Sequence, residues 1–160
     1  MKAKEILNKK GKIGTENVIT IQQDATAYDT IARLDKFKIG SLLVVNEKNE
    51  LVGIVSERDI LYKCYNSGVP LKEQKIKNLM TSKDQIIIGK VDDDSQYLMN
   101  VMTAKRIRHI PIIEEPEKLV GIVSIGDIIK AELESTETEA KLLREHIKNP
   151  FGVHLYQQEE

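Results

Sequence analysis

The sequence predicts an α/β fold, α+β-like in character, built from two tandem β-α-β-β-α units with an extra helix in front and an extended helix behind. Three observations predict it. Leu51-Val52-Gly53-Ile54-Val55-Ser56 recurs as Leu119-Val120-Gly121-Ile122-Val123-Ser124, 68 residues further on, and self-similarity at a fixed period marks a duplicated unit. The same offset, held without a gap, superposes Asp24 on Asp92, Ile39 on Ile107, Glu47 on Glu115, Asp59 on Asp127 and Ile60 on Ile128. Within each copy, short β-branched runs alternate with stretches of helical apolar spacing, which reads as mixed strands and helices.

The elements follow in order. Residues 1–17 hold a short helix from Ala3 to Lys10, stopped by Gly11, and a lead-in. The first unit, 18–68, opens with a strand from Val18 to Ile21, then the turn Gln23-Asp24-Ala25-Thr26 with Thr26 as N-cap. Ile31, Leu34 and Phe37 mark the core face of the helix that follows. A hairpin comes next, Ser41 to Val45 and Leu51 to Val55, joined by the polar turn Asn46-Glu47-Lys48-Asn49-Glu50. A helix begins near Ser56, and Gly68-Val69-Pro70 closes the unit. Residues 69–85 read as a linker through Lys75 to Met80.

The second unit, 86–131, repeats the plan. A strand from Ile86 to Ile88 leads into Asp92-Asp93-Asp94-Ser95, with Ser95 as N-cap and Leu98, Met99 and Met102 on the core face. Strands His109 to Ile113 and Leu119 to Val123 are joined through Glu114 to Lys118, and a helix begins near Ser124. In residues 132–160 the helical pattern runs on through Leu133, Leu142 and Ile147 to Asn149-Pro150, too polar to be another core helix. The tail from Phe151 is expected to be loosely held, with Phe151, Leu155 and Tyr156 available to dock on a partner subunit.

Composition excludes several function classes. The chain has 160 residues, 41% hydrophobic and 31% charged, which suits a folded globular protein. Its 24 Lys and Arg nearly cancel 25 Asp and Glu, so no global field recruits nucleic acid or an anionic membrane. No run approaches the roughly 18 apolar residues of a membrane span, and Met1-Lys2-Ala3-Lys4-Glu5 lacks a signal-peptide core. A cytoplasmic location is expected. Cys64 is the single cysteine, read as a small buried residue on a helix, and His109, His146 and His154 lack metal-ligand spacing. With no nucleophile–base pair, Gly-rich phosphate loop or metal cluster, neither a catalytic site nor a metal site is expected.

The chemistry concentrates in Gly53-Ile54-Val55-Ser56-Glu57-Arg58-Asp59 and its echo Gly121-Ile122-Val123-Ser124-Ile125-Gly126-Asp127. A serine capping a helix, with free first-turn N–H groups and the positive end of the helix dipole, forms a phosphate site. An aspartate three residues on shares that face, and its two oxygens suit the two donors of vicinal ribose hydroxyls. The plainer alternative is a Ser-x-x-Asp cap with no ligand. Two copies after the same strand favour binding.

The tandem units, the strand ending Leu-Val-Gly-Ile-Val-Ser and the Ser-x-x-Asp signature resemble a cystathionine-β-synthase (CBS) domain pair, or Bateman module, over roughly residues 10 to 130. The resemblance implies a pseudo-twofold pair with two clefts between the repeats that take AMP, ADP, ATP, NAD or S-adenosylmethionine, and two pairs joined as a disk-shaped homodimer. It also implies that Asp59 and Asp127 hold ribose hydroxyls and that Ser56 and Ser124 lie near phosphate. Adenine would be read near Thr20 and Ser41-Leu42-Leu43, or their counterparts His109-Ile110-Pro111.

The copies differ in charge. Gly126 replaces Arg58, while Arg108 and His109 replace Gly40 and Ser41. One arrangement gathers Arg58, Arg108 and His109 around phosphate in one cleft, leaving the other less cationic. The expectation is an adenine-nucleotide-binding regulatory module, without a catalytic cofactor, that senses energy or redox state and modulates a separate, unidentified protein. The alternative is a structural dimerisation or adaptor module with vestigial clefts. Nucleic acid and membrane are not expected as partners.

Overall fold

A computed structural model describes residues 1–11, 18–115 and 118–148. The repeated stretch folds twice in the same way. After α1 (Ala3–Lys9), the first unit runs β1 (Thr20–Gln22), α2 (Ala27–Phe37), β2 (Ser41–Val45), β3 (Leu51–Ser56) and α3 (Glu57–Ser67). A short strand β4 (Thr81–Ser82) leads to the second unit: β5 (Gly89–Lys90), α4 (Ser95–Lys105), β6 (His109–Glu114), β7 (Lys118–Ser124) and α5 (Ile125–Lys148). No helix among the described residues is long and apolar enough to cross a membrane.

The hairpins set the frame. β1 lies parallel to β2, and β2 pairs antiparallel with β3 so that Ser41 faces Ser56. In the second sheet β5 lies parallel to β6, and β6 pairs antiparallel with β7 so that His109 faces Ser124. Each hairpin shifts register at the same repeat position, between Val44 and Val45 and between Ile112 and Ile113. The first turn closes as its residues require: the Asn46 side-chain oxygen accepts from the N–H of Lys48 and of Glu50, and Asn49 takes φ 60°.

Each core is completed by the segment that precedes the other unit. Ala3, Ile6 and Leu7 of α1 are buried with Leu98, Met102, Ile110 and Ile128 of the second unit. Ile76 and Leu79 are buried with Ala27, Leu42, Val55 and Ile60 of the first. Backbone bridges mirror this exchange, Lys2 with Asp94 and Thr26 with Lys75. The duplicated glycines are explained by it. A Cβ on Gly53 would fall 2.4 Å from the Met80 sulfur, and one on Gly121 would fall 2.7 Å from Leu7 Cδ2. At Gly53 the Thr81 carbonyl, 2.8 Å from the same point, leaves no room for a side chain, whereas at Gly121 a side chain would push the Leu7 methyls aside.

Five expectations are corrected. Residues 69–85 are not a bare linker, because Ile76 and Leu79 belong to the first core. The first strand of the second unit is Gly89–Lys90; Ile86 and Ile87 instead face a cleft, and Ile88 is half exposed. Asp94, not Ser95, caps α4 by accepting the Gln96 N–H at 2.9 Å, while Ser95 is buried and donates to Glu132 at 2.6 Å. On α2 the buried positions are Ala27, Thr30 and Leu34, whereas Ile31 and Phe37 are 40% and 39% exposed. They flank the inward stripe on its two sides, Ile31 on one and Phe37 on the other. Cys64 is half-buried on α3 rather than fully buried, and burial pushes its thiol pKa up. His154, the tail from Phe151 with Leu155 and Tyr156, and Asn149-Pro150 lie outside the described residues.

Candidate functional site

Both hairpins end in a serine that turns the chain into a helix, and both serines cap it reciprocally with the aspartate three residues on. Ser56 Oγ accepts the Asp59 N–H at 3.2 Å, and Asp59 Oδ2 accepts the Ser56 N–H at 2.9 Å and its hydroxyl at 2.7 Å. Ser124 and Asp127 repeat this at 3.2, 2.7 and 2.7 Å. The next N–H groups, of Glu57 and Ile125, donate to the carbonyls of Gly40 and Arg108 at 3.1 and 3.0 Å. The expectation of free first-turn N–H groups is therefore corrected for all but the second helical position. The capping box and the neighbouring strand already satisfy the N–H groups at the cap and at the first and third helical positions. Of these first-turn groups the N–H of Arg58 and of Gly126 stay open, so a phosphate in these clefts relies mainly on side chains.

Among the described residues, two of the clefts between the units pair the Ser-x-x-Asp face of one with the helix-to-strand corner of the other. The first, about 160 Å³, sets Ser56, Arg58 and Asp59 against Arg106, Arg108, His109 and Pro111, with Ile54, Ile86 and Ile87 as apolar wall. The second, about 210 Å³, sets Ser124, Asp127 and Ile122 against Val18, Ile19, Lys38 and Gly40, with Lys10 reaching in from the end of α1. Ser41 and His109, equivalent positions of the two units, border both.

The clefts differ in charge. Three arginines and a histidine surround the first, and the Arg58 guanidinium lies 5.6 Å over the Tyr62 ring and donates to the Arg106 carbonyl at 3.5 Å. Arg106 and Lys38 end α4 and α2 in the left-handed conformation, at φ 54° and 51°, which turns each chain abruptly into the next strand beside a cleft. In the second cleft the Lys10 ammonium is 2.6 Å from Asp127 Oδ2. Burial pushes the Asp127 carboxyl pKa up, but the hydrogen bonds from Lys10 and Ser124 outweigh it and hold it below the usual value. Burial, then the charge of Arg108, holds the His109 pKa below that of an ordinary histidine, against the pull of Asp127.

Of the residues singled out in the sequence, Ser41, Ser56, Arg58, Asp59, Arg108, His109 and Pro111 meet at the first cleft, and Ser41, His109, Ser124 and Asp127 at the second. Thr20 and Leu42 line neither among the described residues. Leu42 is fully buried in the first core, and Thr20 pairs with Leu43 from the edge strand β1. The pairs Val18-Ile19 and Ile86-Ile87 were missed, although the 68-residue offset relates them as it does Lys38 and Arg106. Lys10 carried no local signal, because α1 reaches its cleft only by docking on the other unit. No group of three or more metal-ligating side chains occurs among the described residues.

Residues 10–66 and 76–134 each match the CBS domain family model. The mitochondrial CBS domain-containing protein CBSX3 of Arabidopsis thaliana is 31% identical over 149 residues, 92% of this chain and 72% of that protein. The crystal structure of the CBS-domain containing protein ATU1752 from Agrobacterium tumefaciens superposes with a TM-score of 0.74 at 30% identity, over 82% of this chain and 99% of that one. Two further structures share the fold. CBSX2 in complex with AMP has a TM-score of 0.66 at 20% identity, over 84% of this chain and 98% of that one. The CBS domain pair of MJ0100 in complex with 5′-methylthioadenosine and S-adenosyl-L-methionine has a TM-score of 0.68 at 23% identity, over the same shares of 84% and 98%.

Proposed function

The chain belongs to the CBS-domain family, and from that premise we propose that it is a regulatory module that binds an adenine nucleotide at the Asp59 cleft and alters the surface it offers a partner protein. The observation that carries the reading is the convergence of Ser56, Arg58 and Asp59 of one unit with Arg106, Arg108 and His109 of the other on one cleft with an apolar wall. Isoleucines suit a base, a half-buried carboxylate suits ribose hydroxyls, and arginines suit phosphate by charge-assisted, bidentate hydrogen bonds. Asp59 Oδ2 is occupied by its cap, and Oδ1, which stands 3.6 Å from Lys63, keeps acceptor capacity for a hydroxyl. That the related folds hold AMP, or 5′-methylthioadenosine and S-adenosyl-L-methionine, supports an adenosine ligand. The arginines favour a phosphorylated one: AMP, ADP, ATP or NAD. Because the ligand bridges both units, its binding favours one relative arrangement of them, which is how a partner would sense energy or redox state.

The unit's apolar exterior supports a homodimer. Leu61 and Tyr65 of α3 and their repeat counterparts Ile129 and Leu133 of α5 are exposed, and a groove of about 720 Å³ runs between α2 and α3. Exposed apolar surface such as that around Leu61 and Tyr65 marks an association site.

A second reading, a structural adaptor with vestigial clefts, is favoured by the capping boxes, which give both Ser-x-x-Asp motifs a purely structural role. Thermal melts with AMP, ATP and NAD separate the two, since a ligand selective for the folded state raises Tm by mass action. The expected result is a rise for wild type and none for Asp59→Asn, which keeps a capping acceptor. No rise with any of them in nucleotide-free protein overturns the nucleotide reading.

A further inference from the structure

The Asp127 cleft contains a cation of its own. Lys10 Nζ sits 2.6 Å from Asp127 Oδ2 and 3.5 Å from the Ile122 carbonyl, and both acceptors belong to cleft-lining residues. We infer that Lys10 is an internal counter-ion that closes the Asp127 cleft to nucleotide, so that the chain takes one adenine nucleotide, at Asp59. The inference rests on the nucleotide reading above and determines which of the two clefts is filled.

Three features carry it. The first is neutralisation: Asp127 Oδ2 accepts the N–H and the hydroxyl of Ser124, as Asp59 Oδ2 does from Ser56, and adds a third, charged donor, the Lys10 ammonium at 2.6 Å. A carboxylate neutralised in this way attracts ribose hydroxyls less than a free one. The second is burial. The Lys10 and Asp127 side chains are 24% and 17% exposed, so solvent and salt screen the pair weakly, and parting it leaves two poorly hydrated charges.

The third is delivery. Lys10 lies three residues beyond Leu7, whose side chain packs over Gly121, and α1 is anchored by backbone bonds from Ala3 to Asp93 and from Lys4 to Val91 at 2.9 and 3.0 Å. The ammonium is therefore held at the cleft by a docked helix.

The Asp59 cleft is built differently. The ammonium beside Asp59 is that of Lys63, four residues along the same helix, at the longer distance of 3.6 Å. It is drawn away by the carbonyls of Leu79 and Met80 and does not line the cleft. Asp59 therefore faces a cleft in which Arg106 and Arg108 stand opposite it and Arg58 beside it, where phosphate would lie.

Isothermal titration calorimetry of the full chain tests this, with whichever of AMP and ATP raises the wild-type Tm more. Wild type is expected to bind one nucleotide per chain, and Lys10→Met two, the added event at least about tenfold tighter than any second event in wild type. Lys10→Arg, which keeps the cation, is expected to remain at one. Adding Asp59→Asn to Lys10→Met is expected to leave one, which assigns the new event to the Asp127 cleft. Two events in wild type, or a single event in a folded Lys10→Met protein, overturns the role of Lys10 and leaves the nucleotide reading standing. No binding by any variant overturns both.

Discussion

His109 stands where both clefts meet, its ring so close to the first unit that a Cβ on Gly40 would lie 3.0 Å from its Cε1. Arg108, Lys10 and Asp127 face it, and Arg58, Arg106 and Asp59 share its first cleft. Its pKa lies below the ordinary value of 6.5, first through burial and then through Arg108. Below about pH 6.5 the unfolded chain therefore binds a proton that the folded chain resists, and stability falls with falling pH until the folded-state pKa is passed. His109→Gln removes this contribution. Between about pH 8 and pH 5.5 its Tm is expected to fall less than that of wild type, as read by circular dichroism. Equal falls would show that His109 contributes nothing to the pH dependence.

Among the elements, α1 illustrates how a short helix acquires a large role. Seven residues make a helix with little stability of its own. Its persistence rests on Ala3, Ile6 and Leu7, each at most 1% exposed, inserted into the core of the second unit. Leu7→Ala is expected to cost about 2–5 kcal/mol in urea unfolding, because the docked strand and helix cannot collapse fully onto the gap. Leu142→Ala, at a site 59% exposed on the outer part of α5, is expected to change stability by about 0.5 kcal/mol or less. Similar costs at both sites would mean that α1 does not hold the second core.

For the molecule as a whole, the exchange of leaders makes the two units interdependent, and apolar surface is left over on α3. Leu61 is 67% exposed and Tyr65 85%, values that leave large side chains in water without a partner. A second copy covering this face gains by removing that surface from water. Wild type is expected to run as a dimer in light scattering at micromolar concentration, and Leu61→Glu with Tyr65→Glu as a monomer. A monomeric wild type would remove the dimer from the proposal. An unaltered dimer in the double variant would place the contact on another face.

Much of this architecture is legible in the chain. The duplicated Leu-Val-Gly-Ile-Val-Ser, the turn chemistry and the spacing of Ser and Asp determined the two units, their hairpins, the capped helices and the family, because these depend on residues close in sequence. The charge difference between the repeats was also written there, in Arg58 against Gly126 and Arg108 against Gly40. Tertiary structure alone decided what the leaders do. It decided that Gly53 and Gly121 lie under Met80-Thr81 and Leu7, that Ile86 and Ile87 wall a cleft, and that Lys10 reaches Asp127 across 117 residues of chain. Local periodicity reports which face of an element is apolar. It does not report which distant segment covers that face, since that is set by the packing of whole units on one another.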